Sequence, residues 1–490
     1  MKKTIQPAKK SYFFDKGYKD MVEAIKQLWV LNALTAQTYN ERFQNLGLLS
    51  IKGCFWFFCS LSVVIFGTIF FLLFSLVFTV FLLTFFVLIY LGFSLVWLVD
   101  RGYLYKNKIF TACHECKEKS LIPTYICSSC KAKHTNLTPG AYGILKRRCK
   151  CGEKLPATCF NGRSKLKAVC AHCESVLYDR ECRPICIPIV GGRSVGKTAF
   201  ITAFSHDFIE TVAPVKGWEI KSYNSAKDAI YAEIKQDYSV GGTRMTDRPQ
   251  DVTKTSSVSF SFFVHSRKFK PDRLVHVYDI AGEVFTDSDE NEIQKQYEYC
   301  QGIVLIVDPF SIDSIRYKYE KDLSPEDLAG IGKADIGGII DTFINKLRVV
   351  TGLSDRKMMQ VPLAVVISKS DSASLDEEFS KEKVDALISS MANQNVLYQD
   401  ALDCVCRNFF VQNGMESFLN IVDMKFKNNR FFACSAIGHK RDAGEYAPKG
   451  VLEPMEWLFQ QADNKMKRHW QDTTFSKHPK KIFKNKGAMN

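Results

Sequence analysis

The sequence predicts an α/β domain with a mostly parallel sheet and helices on both of its faces, preceded by a two-helix transmembrane hairpin and a small cysteine-rich module. Three observations lead to this prediction. A glycine-rich loop lies between a strand-like and a helix-like run at 185–205, residues 53–99 contain no charged side chain, and eight paired cysteines lie between these features. A chain of 490 residues is long enough for two or three such parts.

Residues 191–198 read Gly-Gly-Arg-Ser-Val-Gly-Lys-Thr, a complete phosphate-binding loop. An apolar, β-branched run precedes the loop and a run without helix breakers follows it. Gly191 and Gly196 lack Cβ, so the backbone can turn its N–H groups toward phosphate oxygens. Lys197 is expected to bridge the β and γ phosphates, and the Thr198 hydroxyl to hold Mg²⁺. The predicted phosphate contacts are Gly191, Gly192, Arg193, Ser194, Val195, Gly196, Lys197 and Thr198.

A second element of the phosphate site is predicted at the end of a later strand, in Asp279-Ile-Ala-Gly282-Glu283. A carboxylate at a strand end can reach Mg²⁺ through water, which makes Asp279 the second magnesium residue. Gly282 can offer its backbone N–H to the γ-phosphate, a contact that is lost on hydrolysis. Glu283 can accept a hydrogen bond from the attacking water and is the candidate catalytic acidic residue.

A switch threonine is expected just before the strand at 256–264. Thr243, Thr246, Thr253 and Thr255 all precede it. Nearness to the strand favours Thr253 or Thr255, and we take Thr255 as the candidate catalytic residue.

A base-recognition site is predicted after two further apolar strands. The run at 362–367 is followed by Ser-Lys-Ser-Asp, which places Lys369 and Asp371 at a strand end. The Asp371 carboxylate can accept two N–H bonds from the edge of guanine, which adenine cannot offer, while the stem of Lys369 packs on the base. A later strand ends at Ser435 and Ala436, where a backbone N–H can meet the guanine oxygen. The sequence therefore predicts a guanine-nucleotide site.

These elements, in this chain order, resemble the Ras-like GTPases of the translation-factor class of P-loop NTPases, over roughly Ile185 to Gln460. The resemblance implies a GTPase that converts GTP to GDP and phosphate with Mg²⁺. It assigns phosphate and Mg²⁺ to Lys197, Thr198 and Asp279, base reading to Lys369 and Asp371, and base support to Ser435 and Ala436.

The sequence departs from the family pattern at two positions. Ser368 stands where the family usually has Asn or Thr, and Glu283 stands where Ras-like proteins have a Gln that orients water. Because Glu283 adds negative charge near the γ-phosphate, we expect slow hydrolysis without a partner.

The uncharged run at 53–99 predicts a membrane segment. Its 47 residues would form about 70 Å of helix, whereas a bilayer core needs only about 20 residues. The length therefore predicts two crossings with a turn near Ser75–Thr79. Basic residues flank both ends of the run, at Lys52 and again at Arg101, Lys106 and Lys108. By the positive-inside bias, we expect a multi-pass membrane protein with both termini and the GTPase domain in the cytoplasm.

Eight cysteines form four closely spaced pairs. These are Cys113 and Cys116, Cys127 and Cys130, Cys149 and Cys151, and Cys170 and Cys173. Two such pairs can complete one tetrahedral Cys₄ site, so the spacing predicts two Zn²⁺ ions in a double zinc ribbon. We expect the first two pairs to share one ion and the last two the other, with interleaving as the alternative. The ribbons can serve folding alone, or bind nucleic acid or a protein.

Zinc ribbons joined directly to a Ras-like domain resemble the bacterial double-GTPase families. The phrases at 137–143 and 451–457 carry the same resemblance. It implies a second GTPase as a protein partner, with a homo-oligomer as the alternative, and a role in conflict or antiviral defence systems. It also implies that the membrane is the bacterial inner (cytoplasmic) membrane. The other function considered is a scaffold or sensor that binds nucleic acid or protein through the zinc module and hardly turns nucleotide over.

The termini of the chain add two expectations about partners. The net charge is +14, and part of it lies in the basic tail, which suits an anionic leaflet, nucleic acid or simple solvation. The N-terminal segment has an apolar helical face that can lie on the inner leaflet of the lipid bilayer or on a neighbouring subunit. The predicted division is 1–50 cytosolic amphipathic helix, 51–100 transmembrane hairpin, 101–183 double zinc ribbon, 184–463 GTPase domain and 464–490 basic tail.

Overall fold

The computed structural model divides the chain into two compact units. The first contains residues 1–107 and 121–180, and the second contains 108–120 and 181–490. The structure describes residues 6–178, 181–242, 258–279, 295–323, 330–331, 336–354, 357–391, 396–439 and 444–470.

The elements are numbered here in chain order. The strands are β1 (Ala8–Lys9), β2 (Thr111–Ala112), β3 (Lys119–Ser120), β4 (Thr124–Ile126), β5 (Lys133–His134), β6 (Lys146–Cys149), β7 (Lys154–Pro156), β8 (Ala168–Val169), β9 (Val176–Leu177), β10 (Arg183–Gly191), β11 (Glu219–Ser222), β12 (Val258–Ser266), β13 (Phe269–Asp279), β14 (Ile303–Val307), β15 (Leu363–Ile367) and β16 (Asn429–Ala433). The helices are α1 (Lys16–Leu46), α2 (Ile51–Ser62), α3 (Thr68–Lys106), α4 (Lys197–Asp207), α5 (Ala213–Lys216), α6 (Ser225–Val240), α7 (Asp313–Tyr319), α8 (Ile336–Thr351), α9 (Lys381–Ser390), α10 (Tyr398–Gln412), α11 (Glu416–Lys425), α12 (Leu452–Ala462) and α13 (Asn464–His469).

The first unit contains one very long apolar helix. A π-helical turn at Val63–Gly67 joins α2 to α3, so the helix runs from Ile51 to Lys106 without a break. Its 56 residues correspond to about 84 Å. Within the described residues it is the single helix that is long and apolar enough to cross a membrane.

The predicted turn near Ser75–Thr79 is therefore wrong, and a multi-pass arrangement is not supported. No glycine or proline lies in that stretch, and the Thr79 hydroxyl donates to the Ser75 carbonyl at 2.7 Å within the helix. The polar side chains near the expected turn are thus accommodated in helical geometry. The length argument failed because an apolar helix can be longer than the bilayer core.

Helix α1 is the antiparallel partner of the long helix, after a short connection at 47–50. Phe43 lies 5.2 Å from Phe57 near the connection, and Tyr18 lies 5.1 Å from Phe86 at the other end, measured between ring centroids. The N-terminal segment is helical over Lys16–Leu46, and its aromatic side chains pack along the apolar helix.

Small residues on the long helix allow α1 to approach closely. A Cβ at Gly53 would lie 2.0 Å from the Gly47 carbonyl oxygen, and one at Gly67 would lie 2.4 Å from Asn32 Oδ1. Ser60 donates to the Ala36 carbonyl at 3.0 Å. Small residues and hydroxyls on the contact face are typical of helices that associate in lipid.

A buried ion pair fixes the end of α3 to the cysteine-rich part of the first unit. Arg163 and Asp100 are both fully buried and lie 3.0 Å apart. Arg163 also donates to the carbonyls of Leu137 and Ala157, each at 3.0 Å, and Asp100 accepts the Cys159 N–H at 2.8 Å. The pair is therefore well hydrogen-bonded, which a buried charge requires.

Replacement of Arg163 by methionine is expected to lower the free energy of unfolding of the first unit by about 3–5 kcal/mol, because it leaves the Asp100 carboxylate buried and unpaired. Denaturant titration in detergent measures the change. The matched control is the double variant Asp100→Leu with Arg163→Met, which should recover most of the loss. Equal stability of the single variant and the wild type would contradict the prediction.

The second unit contains the predicted α/β domain. Its seven-stranded sheet has the order β11-β12-β13-β10-β14-β15-β16; β10 and β13–β16 are parallel, and β12 is antiparallel to its neighbours. Phe343 on α8 and Phe410 on α10 belong to the core on one face. Phe204 on α4 and Leu458 on α12 belong to the core on the other face. Helices therefore cover both faces of the sheet, as predicted.

Residues 108–120 are part of this second unit. Ala112 is fully buried in its core, and the Phe110 ring lies 5.9 Å from the Tyr299 ring. Glu118 forms an ion pair with Lys295. The first cysteine pair, Cys113 and Cys116, thus lies on a segment that packs with the α/β domain.

Candidate functional site

The candidate nucleotide site lies at one edge of the seven-stranded sheet. Parallel strands end on the same side, and the loops after their carboxyl ends form the usual ligand site of such sheets. The loops after β10, β13, β15 and β16 hold the described residues that the sequence assigned to phosphate, Mg²⁺ and base. The fold therefore places these sequence motifs on one edge.

The loop after β10 has the conformation of a phosphate-binding loop. Ser194 and Gly196 have φ of 62° and 92°, so the chain turns sharply before α4 begins at Lys197. The Lys197 ammonium is buried and donates to the carbonyls of Gly191 and Gly192 at 3.0 and 2.6 Å. A Cβ at Gly191 would lie 2.5 Å from the Ile306 carbonyl oxygen. Only glycine fits at this point, because β14 lies so close.

The two predicted magnesium residues meet. The Thr198 hydroxyl donates to Asp279 Oδ2 at 3.1 Å, and the Asp279 side chain is almost completely buried. A hydroxyl and a carboxylate are hard oxygen donors of the kind that Mg²⁺ prefers beside nucleotide phosphates. The residues present therefore fit a magnesium ion at this position.

Ser368 joins the base loop to the phosphate loop. Its hydroxyl is buried and lies 2.8 Å from the Val195 carbonyl, to which it donates, and 3.2 Å from the Val307 carbonyl. The departure from the family residue is therefore accommodated, because a short hydroxyl side chain reaches the phosphate loop directly.

Lys369 has a partner that the sequence reasoning missed. Its ammonium lies 2.7 Å from Asp308 Oδ2, and Asp308 is fully buried after β14. The second Asp308 oxygen accepts the Phe310 N–H at 3.0 Å. The pair fixes the Lys369 side chain between the loop after β14 and the loop after β15. An acidic residue directly after an apolar strand was the available signal for it.

Asp371 and Ser435 lie on neighbouring loops. The Ser370 N–H donates to the Cys434 carbonyl at 3.2 Å, which ties the loop after β15 to the end of β16. Burial, together with the carboxylates of Glu453 and Asp371, raises the pKa of the Cys434 thiol well above its ordinary value. The half-buried Asp371 carboxylate is thus near the start of the loop that carries Ser435 and Ala436.

The loop after β16 is closed by its own hydrogen bonds. Ser435 exchanges two backbone bonds with Lys449, both at 2.9 Å, and its hydroxyl accepts the Gly438 N–H at 2.9 Å. Gly438 has φ of 85°, and a Cβ there would lie 2.0 Å from the Ala447 carbonyl oxygen. The loop that carries the predicted base-support residues is therefore narrow and well bonded.

The remaining predicted residues of the nucleotide site lie outside the described part of the chain. These are Gly282, Glu283 and the four switch threonine candidates Thr243, Thr246, Thr253 and Thr255. Their roles stay predictions.

Four cysteines of the first unit converge. The Sγ atoms of Cys127, Cys130, Cys149 and Cys151 all lie within 4.8 Å of one another. The Ala132 backbone N–H, with the neighbouring thiols, lowers the pKa of Cys130 to about 7, whereas burial raises that of Cys149 to about 12. This Cys₄ group has the donor set of a structural zinc site.

A buried histidine supports this Cys₄ group. His134 Nε2 lies 3.4 Å from Cys149 Sγ, and burial and the nearby Arg147 lower the His134 pKa. A neutral imidazole can donate an N–H bond to a metal-bound thiolate, as outer partners of zinc ligands commonly do.

The expected grouping of the cysteine pairs is wrong. The second pair, Cys127 and Cys130, meets the third pair and not the first. The reason lies in the strand connections, because Cys127 follows β4 and Cys149 ends β6, and spacing along the chain does not reveal which strands end together. The interleaved alternative therefore applies.

Comparison with known proteins finds a family similar to the α/β domain. Residues 185–419 match the family described as Double-GTPase 2. Among solved structures, the crystal structure of the S. cerevisiae Ski7 GTPase-like domain, bound to GTP, matches with 14% identity and a TM-score of 0.28. That match covers 58% of this chain and 50% of the other, so the chain spans about half the length of this structural relative. No curated protein matches the chain.

Proposed function

From the match of residues 185–419 to the Double-GTPase 2 family, we infer that this GTP-binding protein hydrolyses GTP as a molecular switch and is anchored in a membrane. The observation that carries the proposal is the meeting of two loops at one sheet edge. Ser368, in the loop that leads to Asp371, bonds to the Val195 carbonyl in the phosphate loop at 2.8 Å. A nucleotide whose base is bound at Asp371 would therefore have its phosphates near Lys197.

The hydrolysis follows from the residues of the phosphate loop. Lys197 and the backbone N–H groups would hold the β and γ phosphates, while Thr198 and Asp279 would hold Mg²⁺, which neutralises charge on the phosphates when bound. Water would attack the γ-phosphorus in line with the departing GDP. Glu283 would accept a hydrogen bond from that water, and its negative charge so close to the γ-phosphate would keep turnover slow.

The switch would act through two segments. Thr255, before β12, and Gly282, after β13, would contact the γ-phosphate and its Mg²⁺ in the GTP state and lose these contacts on hydrolysis. A protein partner would bind the GTP-bound and the GDP-bound forms with different affinities. By analogy with the family name, we propose a second GTPase as that partner, in a defence system against viruses.

The long apolar helix supports the membrane anchor. Its apolar side chains are largely exposed along the whole run; Phe66, Leu83 and Leu98 are each more than 60% accessible. Exposure of such an apolar surface to water is unfavourable, and the hydrocarbon core of a bilayer would cover it. Because GTP is a cytoplasmic substrate, the second unit would lie on the cytoplasmic side.

The cysteines support a metal-stabilised module beside the anchor. Eight paired thiolates supply two Cys₄ sets, so two Zn²⁺ ions are the proposed complement, in a fold of the zinc-ribbon type. The strands β4–β9 contain only two to four residues each, and zinc would add folding free energy to a module built from such short strands.

Purification of the full chain tests the proposal. The chain extracted from membranes with detergent is expected to contain guanine nucleotide at about one per chain, zinc at about two per chain, and slow GTPase activity. The matched control is Lys197→Ala, which removes the phosphate cation and should abolish bound nucleotide without loss of zinc. Recovery of adenine nucleotide, or of equal nucleotide in the Lys197→Ala variant, would contradict the proposed function.

A further inference from the structure

Tyr446 lies in the loop after β16, which also carries Ser435 and Ala436. It contacts Gly242, the residue just before the segment 243–257 in which the switch threonine is predicted. Its hydroxyl donates to the Gly242 carbonyl at 2.7 Å, and its backbone N–H donates to the Tyr238 carbonyl at 2.9 Å. The side chain is almost completely buried. Gly242 is the last described residue before 243–257, which contains all four switch threonine candidates.

The loop that carries Tyr446 can transmit a displacement because its two sides are bonded together. The Ala447 N–H donates to the Ile437 carbonyl at 2.8 Å, one residue after Ala436. A shift of the base-support residues therefore shifts Tyr446, since no unbonded length of chain separates Ala447 from Tyr446.

The end of α6, which Tyr446 contacts, is also held by several bonds. The Tyr238 ring lies 5.2 Å from the Tyr446 ring and is stacked on His206 at 3.6 Å, on the helix that follows the phosphate loop. The Tyr238 hydroxyl donates to Asp207 Oδ1 at 2.9 Å. Gly242 itself donates its N–H to the Asp237 carbonyl at 3.0 Å. The Tyr446 hydroxyl thus holds Gly242, just beyond the end of α6, in addition to the backbone bond and the ring contact that Tyr446 makes with Tyr238.

We propose that Tyr446 is a positioning residue for GTP hydrolysis: it couples guanine bound at Ser435 and Ala436 to the position of Gly242, from which the switch segment starts. The inference rests on the proposed function. It adds a requirement, that base occupancy and the position of Gly242 are coupled through the Tyr446 hydroxyl.

The variant that tests this link is Tyr446→Phe, which removes the hydroxyl and retains the ring and the backbone bond to Tyr238. The matched control is Tyr231→Phe. Tyr231 lies on α6, as Tyr238 does, and its hydroxyl donates to Glu210 at 2.8 Å. We expect Tyr446→Phe to lower kcat for GTP about five-fold, the factor for one neutral hydrogen bond of about 1 kcal/mol, with KM unchanged. Tyr231→Phe should leave kcat unchanged.

Hydrogen exchange of the full chain, with and without GDP, supplies a readout independent of turnover. In the wild type, GDP is expected to slow amide exchange both in the phosphate loop and at 236–242. In Tyr446→Phe it should slow only the phosphate loop, and exchange at 236–242 without nucleotide should be about five-fold faster.

Two results would overturn the inference: equal GDP protection of 236–242 in wild type and Tyr446→Phe, or equal kcat in the two proteins. A wild type in which GDP protects neither region would instead contradict the proposed function. In that case the comparison without nucleotide still decides whether Tyr446 anchors Gly242, and unchanged exchange there would reject the anchor.

Discussion

Replacing Asp371 by alanine is expected to weaken GTP binding by more than a hundred-fold and to leave weak ATP binding nearly unchanged. The carboxylate would accept two N–H bonds from guanine, and each charge-assisted bond contributes about 1.5–3 kcal/mol. Adenine offers no such pair of N–H groups, so the affinity for ATP should not fall. Equilibrium binding of labelled GTP and ATP to the variant and the wild type measures both changes.

A conservative change at the same position gives the control. Asparagine keeps the size of Asp371 but can donate an N–H where the carboxylate only accepts. Asp371→Asn should therefore weaken GTP and gain affinity for xanthosine triphosphate, which carries a carbonyl in place of the guanine amino group. If both variants bind GTP as the wild type does, Asp371 does not read the base.

Replacing Cys149 by serine is expected to remove one zinc ion per chain and to unfold the short-stranded part of the first unit. Structural zinc sites of this type carry about 10–16 kcal/mol of apparent binding free energy, which becomes folding free energy when the site exists only in the folded state. Serine cannot replace the thiolate, and the remaining three ligands would hold the ion far more weakly. Metal analysis and thermal unfolding of the full chain measure the two effects.

The control for this prediction is Cys159→Ser, which changes a cysteine outside the four pairs in the same unit. It should keep the zinc content and the unfolding temperature of the wild type. The nucleotide site belongs to the other compact unit, so Cys149→Ser should still bind GTP. Unchanged zinc content in Cys149→Ser would show that Cys127, Cys130, Cys149 and Cys151 do not form a metal site.

The position of the loops at the candidate site could largely be predicted from the sequence, because each loop directly follows a strand. The glycines of the phosphate loop, the strand end at Asp279 and the loops at Asp371 and Ser435 each follow a strand directly. Parallel pairing then brings strand ends together, whatever the length of the connections. The rule places the loop of Thr198 beside the strand end at Asp279, and the two side chains lie 3.1 Å apart.

Contacts between segments distant in sequence could not be predicted in this way. The bond from Ser368 to Val195 and the pair of Lys369 with Asp308 depend on how neighbouring loops pack, which no spacing along the chain encodes. The same holds for the cysteine pairs, whose grouping depends on the order of short strands.

The helical part shows a different limit. The absence of charge in 53–99 correctly indicates an apolar helix, but helix length and membrane thickness need not agree. A turn requires residues that break the helix, and Ser75–Thr79 contains none. The antiparallel partner is α1, whose packing face, with Trp29 donating to Ser75 Oγ at 2.9 Å, is visible only once both helices are placed.

The central claim is that one crevice at the sheet edge selects guanine and holds its phosphates. The most direct measurement is competition between GTP and ATP for the purified full chain with Mg²⁺. The structure predicts that GTP displaces a bound guanine nucleotide at least a hundred-fold more effectively than ATP, in line with the bonds that Asp371 would accept. Equal displacement by the two nucleotides would contradict the claim.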